Sequence, residues 1–380
     1  MISLDKLSVN RIAFSRYLAL REYDTEVEGI DNTMFRAIEW IDAAADSHIR
    51  LIDQTRLPGA EVYLEITEVS QLIDAIQCLA VRGAPALGAA GGYGVALALL
   101  EAERKQWDAD TLTATIDALA NARPTAVNLA WGAGRVAAVR AAGFDRALAE
   151  AHAIAADDER SNRELSRLGA DWLLARVGDR PLRAVTHCNT GALATAAWGT
   201  AYGILHELHN RGKLELVYVD ETRPLLQGTR LTSWELHHDG IPHVVEVDGA
   251  ASSTILRGLV DFAVIGADRI TANGDTANKV GSVALALACE RRGIPFVVAA
   301  PYSTVDEATA TGDEIEIEER GDEEVLAFGG VSVATPGVTA FNPAFDVTPN
   351  DLISAIVTER GVVEPKADAQ PLFGPGPATN

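Results

Sequence analysis

The sequence predicts an α/β protein, with a mainly parallel sheet in its C-terminal half and a smaller N-terminal domain of short strands plus helices. Two contrasting textures carry this. From about residue 179, short β-branched runs (AVTH, LELVYVD, HVVEV, FAVIGAD, PFVVAA) alternate with helical stretches. Such alternation marks βαβ units, which build parallel sheets. Earlier in the chain, FRAIEW, IRLIDQTRL and VYLEI read as short strands separated by acidic or Pro-Gly turns, and Ala-, Leu- and Arg-rich stretches follow them. The expected layout is an N-terminal extension over 1–33, a strand-plus-helix domain over 34–178, a parallel-sheet domain over 179–363 and a disordered Pro/Gly/Ala-rich tail over 364–380.

Taken in order, Ile66 to Cys78 is apolar at helical spacing, with Glu68 early, where helix N-termini favour carboxylates. Arg82-Gly83-Ala84-Pro85 breaks that helix and starts a second, glycine-rich one. Gly88, Gly91, Gly92 and Gly94 fit neither G-x-G-x-x-G after a strand nor a P-loop, so they read as close helix packing. The same glycines interrupt the most apolar run, Gly83 to Leu100, which is expected to be a buried helix and not a membrane span. Helices are expected over 109–120, 125–142 and 144–177, then after Gly191 to about 211, near 226–238 and near 279–291. His237, His238 and His243 in HHDGIPH read as helix end, turn and strand entry; His206 and His209 read as surface positions.

Composition narrows the function classes. A chain of 380 residues, 48% hydrophobic and 23% charged, can bury a sizeable core and has the make-up of a soluble globular protein. Its net charge of −22 opposes non-specific nucleic-acid binding, which needs a basic footprint. Asp5, Lys6 and Arg11 near the start do not make a secretory signal. Cys78, Cys188 and Cys289 are widely spaced and form no C-x-x-C, which argues against a disulfide framework or a zinc site and fits a reducing cytoplasm. Cys78 and Cys289 fall in apolar helical patterns and read as core.

Four expected strand ends carry polar clusters: Thr186-His187-Cys188-Asn189, Asp220-Glu221-Thr222-Arg223-Pro224, Gly266-Ala267-Asp268-Arg269 and Ala300-Pro301-Tyr302-Ser303. Parallel strands bring their carboxyl ends to one side, so these clusters should share a crevice. A thiol and a carboxylate there could divide acid and base roles. Locally, Cys188 reads either as a packed thiol or as a reactive one near a helix start, and Asp268 as a capping carboxylate or an acid. Arg82 with Gly83, Arg123-Pro124-Thr125 and Asn278-Lys279 are three cationic turns at expected helix starts, the arrangement that suits a phosphate.

Together and in this order, these blocks resemble the methylthioribose-1-phosphate isomerase family. The resemblance rests on LIDQTRLP, VRGAPALGAAGGYG, RPTAVNLAWG, THCNTGALAT, VYVDETRPLLQGTRLTSWEL, GADRITANGDTANKVG and IPFVVAAPYSTVD, and extends to about residue 362. It implies a Rossmann-like C-terminal domain and a homodimeric, cytoplasmic enzyme of methionine salvage with no metal or other cofactor. The implied reaction isomerises 5-methylthio-α-D-ribose 1-phosphate to 5-methylthio-D-ribulose 1-phosphate. In that role Asp268 would donate a proton, Cys188 would stabilise the transition state, and Arg82, Gly83, Ala84, Arg123, Gln227, Asn278 and Lys279 would hold the sugar phosphate. Thr190 and Ala197-Trp198 depart from the family's usual residues, which bears on the group accepted at C5. Related readings are isomerases of 5-deoxyribose 1-phosphate or ribose 1,5-bisphosphate, and a non-catalytic translation-factor subunit.

Overall fold

In the computed structural model, which describes residues 35–43, 46–124, 126–366 and 372–373, three short strands come first. β1 (Ile38–Ile41), β2 (His48–Ile52) and β3 (Tyr63–Ile66) form an antiparallel sheet in that order. The 1–33 extension lies outside the described residues. Strand β2 buries Ile49 and Leu51, the alternate positions that a half-covered sheet puts on one face. Five helices follow: α1 (Val69–Gln77), α2 (Ala84–Lys105), α3 (Ala109–Ala120), α4 (Val127–Ala137) and α5 (Phe144–Val177). Gln71 opens α1 by accepting the Glu68 N–H (3.1 Å), half of a capping box.

Helix α2 is apolar nearly all round because it is a core helix. It is the one helix among the described residues long and apolar enough to cross a membrane, and 78% of its apolar window is buried inside the molecule. The glycines let α2 and α4 touch through their backbones. A Cβ on Gly132 would stand 2.0 Å from the Gly88 carbonyl oxygen, and one on Gly91 would stand 2.4 Å from that of Leu129. Alanine at an open helical glycine stabilises by about 1 kcal/mol. Here the backbone clash reverses the sign, and Gly132→Ala is expected to destabilise by about 2 kcal/mol. A thermal midpoint unchanged or raised in that variant would refute the contact.

The second half opens with β4 (Leu182–His187), α6 (Ala201–Asn210), β5 (Leu214–Asp220), α7 (Ser233–His238), β6 (His243–Glu246) and α8 (Ala251–Leu256). It continues through β7 (Phe262–Ile265), β8 (Arg269–Thr271), β9 (Thr276–Lys279), α9 (Ser282–Arg292) and β10 (Phe296–Ala299). The remaining strands are β11 (Val305–Asp306), β12 (Ala327–Phe328), β13 (Val331–Ser332), β14 (Phe345–Thr348), β15 (Ala355–Thr358) and β16 (Gly361–Val363). Seven of them make a sheet ordered β6-β5-β4-β7-β10-β15-β16, parallel except for the β15–β16 pair. Every residue of β7 and of β10 is buried, as strands covered on both faces should be. A smaller sheet, β11-β8-β9-β14, stands beside the large one.

From Phe35 onward the chain packs as one unit. Helix α5 gives Ala147, Ala151 and Ile154 to the core of the first half, and Leu165, Ala170 and Leu173 to that of the second. The changeover between cores therefore falls inside α5, ahead of residue 178.

Several local expectations change. No helix follows Gly191 directly: one 3-10 turn at Ala192–Ala194 intervenes, and α6 begins only at Ala201. Distant side chains take the backbone groups that a helix would have paired. Asp158 accepts the Ala196 N–H (2.7 Å), Asn162 donates to Ala197 O (3.2 Å) and Gln54 donates to Leu193 O (2.7 Å). Asn278 and Lys279 lie on strand β9 instead of a helix start, because β14 pairs with them (Asn278↔Asp346, Lys279↔Phe345). Cys78 is an exposed helix-capping residue, not core; Cys289 is buried. His206 is largely covered, its ring 4.5 Å from that of Trp198. In the stretch expected to be a disordered tail, Phe373 is buried, its ring 6.0 Å from that of Tyr302.

Candidate active site

The chain runs β4, β5, β6 in one direction across the sheet and then returns to the other side of β4 with β7. The β4–β7 boundary is thus a topological switch point, where two diverging connections leave a crevice at the strands' carboxyl ends. Cys188 follows β4 there, and Gly266-Ala267-Asp268 follows β7. A cavity of about 370 Å³ occupies this position, in the size range of small-molecule sites. Its wall includes all nine residues expected at the site: Arg82, Gly83 and Ala84 at the α2 start, Arg123 before α4, Cys188, Gln227, Asp268, Asn278 and Lys279.

Cys188 is buried and holds a left-handed backbone conformation (φ +65°). Such a conformation costs a non-glycine residue about 1–3 kcal/mol and persists only where surroundings enforce it. Here Thr232 donates its hydroxyl to the Cys188 carbonyl (2.6 Å). The next residue, Asn189, is a junction. Its side-chain oxygen accepts from Arg82 Nη2 (2.6 Å), while its Nδ2 donates to Glu235 (2.5 Å). Glu235 also accepts the Leu193 N–H (3.2 Å). Burial raises the pKa of Glu235 to about 7, with the Asn189 and Leu193 hydrogen bonds opposing the rise. Arg82 is thereby fixed beside Cys188. Its neighbour Gly83 (φ +94°) passes so close to the following loop that a Cβ would lie 2.2 Å from Ala194 O.

Asp268 faces the cavity and is exposed to its interior, while protein encloses it on the other sides. Its N–H donates to Ala277 O (2.9 Å), which leaves the side chain free to project. Burial raises its pKa; Lys279, Arg82 and Arg123 oppose the rise, in that order. The three cations singled out in the sequence therefore act on one carboxyl group. Lys279, though buried, lies over the Phe345 ring (5.1 Å), and Arg123 pairs loosely with Glu318 (3.6 Å). Asn278 is set by Ser282, to whose oxygen it donates (2.8 Å).

Gln227 has a determined orientation. The Thr222 hydroxyl accepts the Gln227 backbone N–H (3.2 Å) and donates to Gln227 Oε1 (2.7 Å). The amide NH₂ is thereby presented as a donor to the cavity.

The Initiation factor 2 subunit family matches residues 80–365. A relative from Anaeromyxobacter dehalogenans, named methylthioribose-1-phosphate isomerase, is 51% identical over 83% of this chain and 90% of its own. The chain belongs to that family, on its methylthioribose-1-phosphate isomerase branch. A Nocardia farcinica relative, named a probable bifunctional methylthioribose-1-phosphate isomerase/methylthioribulose-1-phosphate dehydratase, is 51% identical over 88% of this chain; the match spans 60% of the relative's length. Among solved structures, 5-methylthioribose 1-phosphate isomerase from Pyrococcus horikoshii superposes with a TM-score of 0.79 at 38% identity, covering 90% of this chain and 94% of that one. A structure titled translation initiation factor eIF-2B, subunit delta, from A. fulgidus gives 0.77 at 40% identity, covering 87% and 96%.

Thr190 and Trp198, expected from the resemblance to be departures, both have definite partners. Thr190 accepts the Tyr202 N–H (3.1 Å) in the first turn of α6. Trp198 stays outside the cavity wall: its ring stacks with Arg163 (4.0 Å) and donates to Ser166 (3.1 Å). Of the supporting residues, Thr222 belongs to a strand-end cluster read from the sequence, whereas Thr232 and Glu235 were not singled out. Glu235 lies in an amphipathic stretch where a carboxylate reads as solvated, and only the fold buries it. Among the described residues no group of three or more His, Cys, Asp or Glu side chains is placed to hold a metal ion.

Proposed function

We propose that the protein is an aldose–ketose isomerase that converts 5-methylthio-α-D-ribose 1-phosphate to 5-methylthio-D-ribulose 1-phosphate, with Asp268 as proton donor and Cys188 as transition-state stabiliser. The observation that carries this reading is the meeting of Cys188 and a pKa-raised Asp268 among three cations at the switch point. The substrate's 1-phosphate blocks the anomeric carbon, so its ring cannot open as a free aldose does. Protonation of the ring oxygen by Asp268 releases the C1–O bond. The C2 hydrogen then moves to C1, and the C2 hydroxyl loses a proton to become the ketone. One proton enters and one leaves, and one carbon is oxidised as its neighbour is reduced, so the balance closes within the substrate. Arg82, Arg123 and Lys279 neutralise the phosphate, and the donor NH₂ of Gln227 and the side chain of Asn278 orient the sugar.

The apolar part of the wall, including Leu87, Leu225, Ile315 and Phe345, suits a methylthio group better than a second phosphate. The translation-factor reading is favoured by the likeness to eIF-2B subunit delta from A. fulgidus; a regulatory subunit has no use for the Cys188–Asp268 pair. We further infer a homodimer in a reducing cytoplasm. Three free cysteines suit that compartment, and Val245 on edge strand β6, Val247 just after it, Leu256 on α8 and Leu287 on α9 remain exposed.

Assays of methylthioribose 1-phosphate, 5-deoxyribose 1-phosphate and ribose 1,5-bisphosphate test the assignment, with fastest turnover expected for the first. No turnover of any of them would favour the regulatory subunit. The pH profile has a determined sign. A raised pKa keeps Asp268 in its acid form to higher pH than an ordinary carboxyl, and kcat falls once pH passes through that value. A rate limited instead by a group that must lose its proton would rise over the same range.

A further inference from the structure

His187 is the residue before Cys188, and nothing in the proposed mechanism uses it. Its ring is buried, and each nitrogen meets an oxygen: Nδ1 lies 2.6 Å from Asp220 Oδ2 and Nε2 lies 2.9 Å from Val280 O. A backbone carbonyl can only accept, so Nε2 carries a proton, and a further proton lies between Nδ1 and Asp220. Three arms of the site meet at this ring. His187 ends β4 and leads into Cys188. Asp220 ends β5, ahead of Glu221 and Thr222, and Thr222 orients Gln227. Val280 follows Asn278 and Lys279 at the end of β9. The chain is shaped around the imidazole, since a Cβ on Gly281 (φ +110°) would fall 2.7 Å from His187 Cε1. From β14, Asp346 fixes the same turn by accepting the Gly281 N–H (2.8 Å).

We propose that His187 is a positioning residue whose Nε2–H···O=C bond to Val280 sets Lys279 and Asn278 at their working distance from Cys188. The proposal rests on the reading that Lys279 and Asn278 hold the sugar phosphate. Strand β9 pairs with β8 and β14 in the small sheet, and not with β4, so the register of the large sheet does not set this distance. The imidazole is a cross-link between the two sheets beside the cavity. Burial raises the pKa of Asp220, and its hydrogen bond with His187 opposes that rise. The other carboxylates acting on this pair are Asp346, Asp248, Glu221 and Glu246.

Amide substitutions separate the two nitrogens. The amide of His187→Gln reaches the place of Nε2 and can still donate to Val280 O, whereas that of His187→Asn reaches only the place of Nδ1 and Asp220. His187→Asn is expected to raise KM for methylthioribose 1-phosphate about tenfold with kcat changed by less than about threefold, and His187→Gln to bring KM back within about threefold of the native value. Equal KM values in the two folded variants, or a His187→Asn KM equal to the native one, overturn the proposal. Lys279→Met, assayed alongside, tells the two readings apart. An unchanged KM in Lys279→Met counts against the phosphate site itself. A raised KM in Lys279→Met with an unchanged KM in His187→Asn counts against His187 alone. If His187→Asn does not fold, ¹⁵N-histidine NMR of the native protein under assay conditions decides: Nε2 of His187 is expected to carry the hydrogen donated to Val280 O, and a bare Nε2 overturns the proposal.

Discussion

Replacing Asp268 by Asn lowers turnover of methylthioribose 1-phosphate by about a thousandfold, the middle of the range that general acids contribute. The amide keeps the shape of the carboxyl but has no proton to give to the ring oxygen. KM should move little or fall, because removing a carboxylate from beside Lys279, Arg82 and Arg123 leaves more positive charge for the phosphate. The fold should be retained, since the side chain points into the cavity and its backbone N–H bond to Ala277 O survives. Steady-state kinetics and a thermal midpoint on the same preparation check both parts. A folded Asp268→Asn enzyme with near-native kcat would remove Asp268 from the chemistry.

Cys188→Ser should cost turnover at least about a hundredfold, as loss of one preorganised transition-state contact does elsewhere. The hydroxyl is smaller than the thiol and less polarisable, and it prefers water to an apolar wall. The left-handed backbone at Cys188 is held by Thr232 through the carbonyl, so the substitution leaves the turn intact. This distinguishes a chemical loss from a collapse of the loop, which would also release Asn189 and hence Arg82. A decrease in kcat with KM preserved is the expected signature. KM and kcat changing by the same large factor, with a lowered thermal midpoint, would instead mean that Cys188 serves the loop and not the reaction.

The α/β class and the four strand-end clusters were legible because strand–helix alternation is local, and parallel strands gather their ends without further information. Cys188 and Asp268 reach one cavity for that reason, whereas Arg82, Gly83, Ala84 and Arg123 come to it from helix starts of the first half and Asn278 and Lys279 from the small sheet. The absence of a helix directly after Gly191 was not legible. AlaLeuAlaThrAlaAla is an acceptable helical string, yet Asp158, Asn162 and Gln54, each more than thirty residues away, take its backbone groups. Lys279 was marked as a phosphate contact at a helix start, but it reaches the cavity from a strand that β14 completes nearly seventy residues later.

Which residue types stand at the strand ends and helix starts is written in the chain, and with it the chemistry available: a thiol, a carboxylate, an amide and three cations. Periodicity also decides that these ends belong to a parallel sheet, because it depends only on near neighbours. What the residues do depends on surroundings contributed from afar. Burial makes Asp268 a stronger candidate acid than an ordinary aspartate, and buries Glu235 behind Asn189 to hold Arg82 in place. Desolvation and hydrogen-bond partnership are properties of the packed site, so only the tertiary structure could assign them.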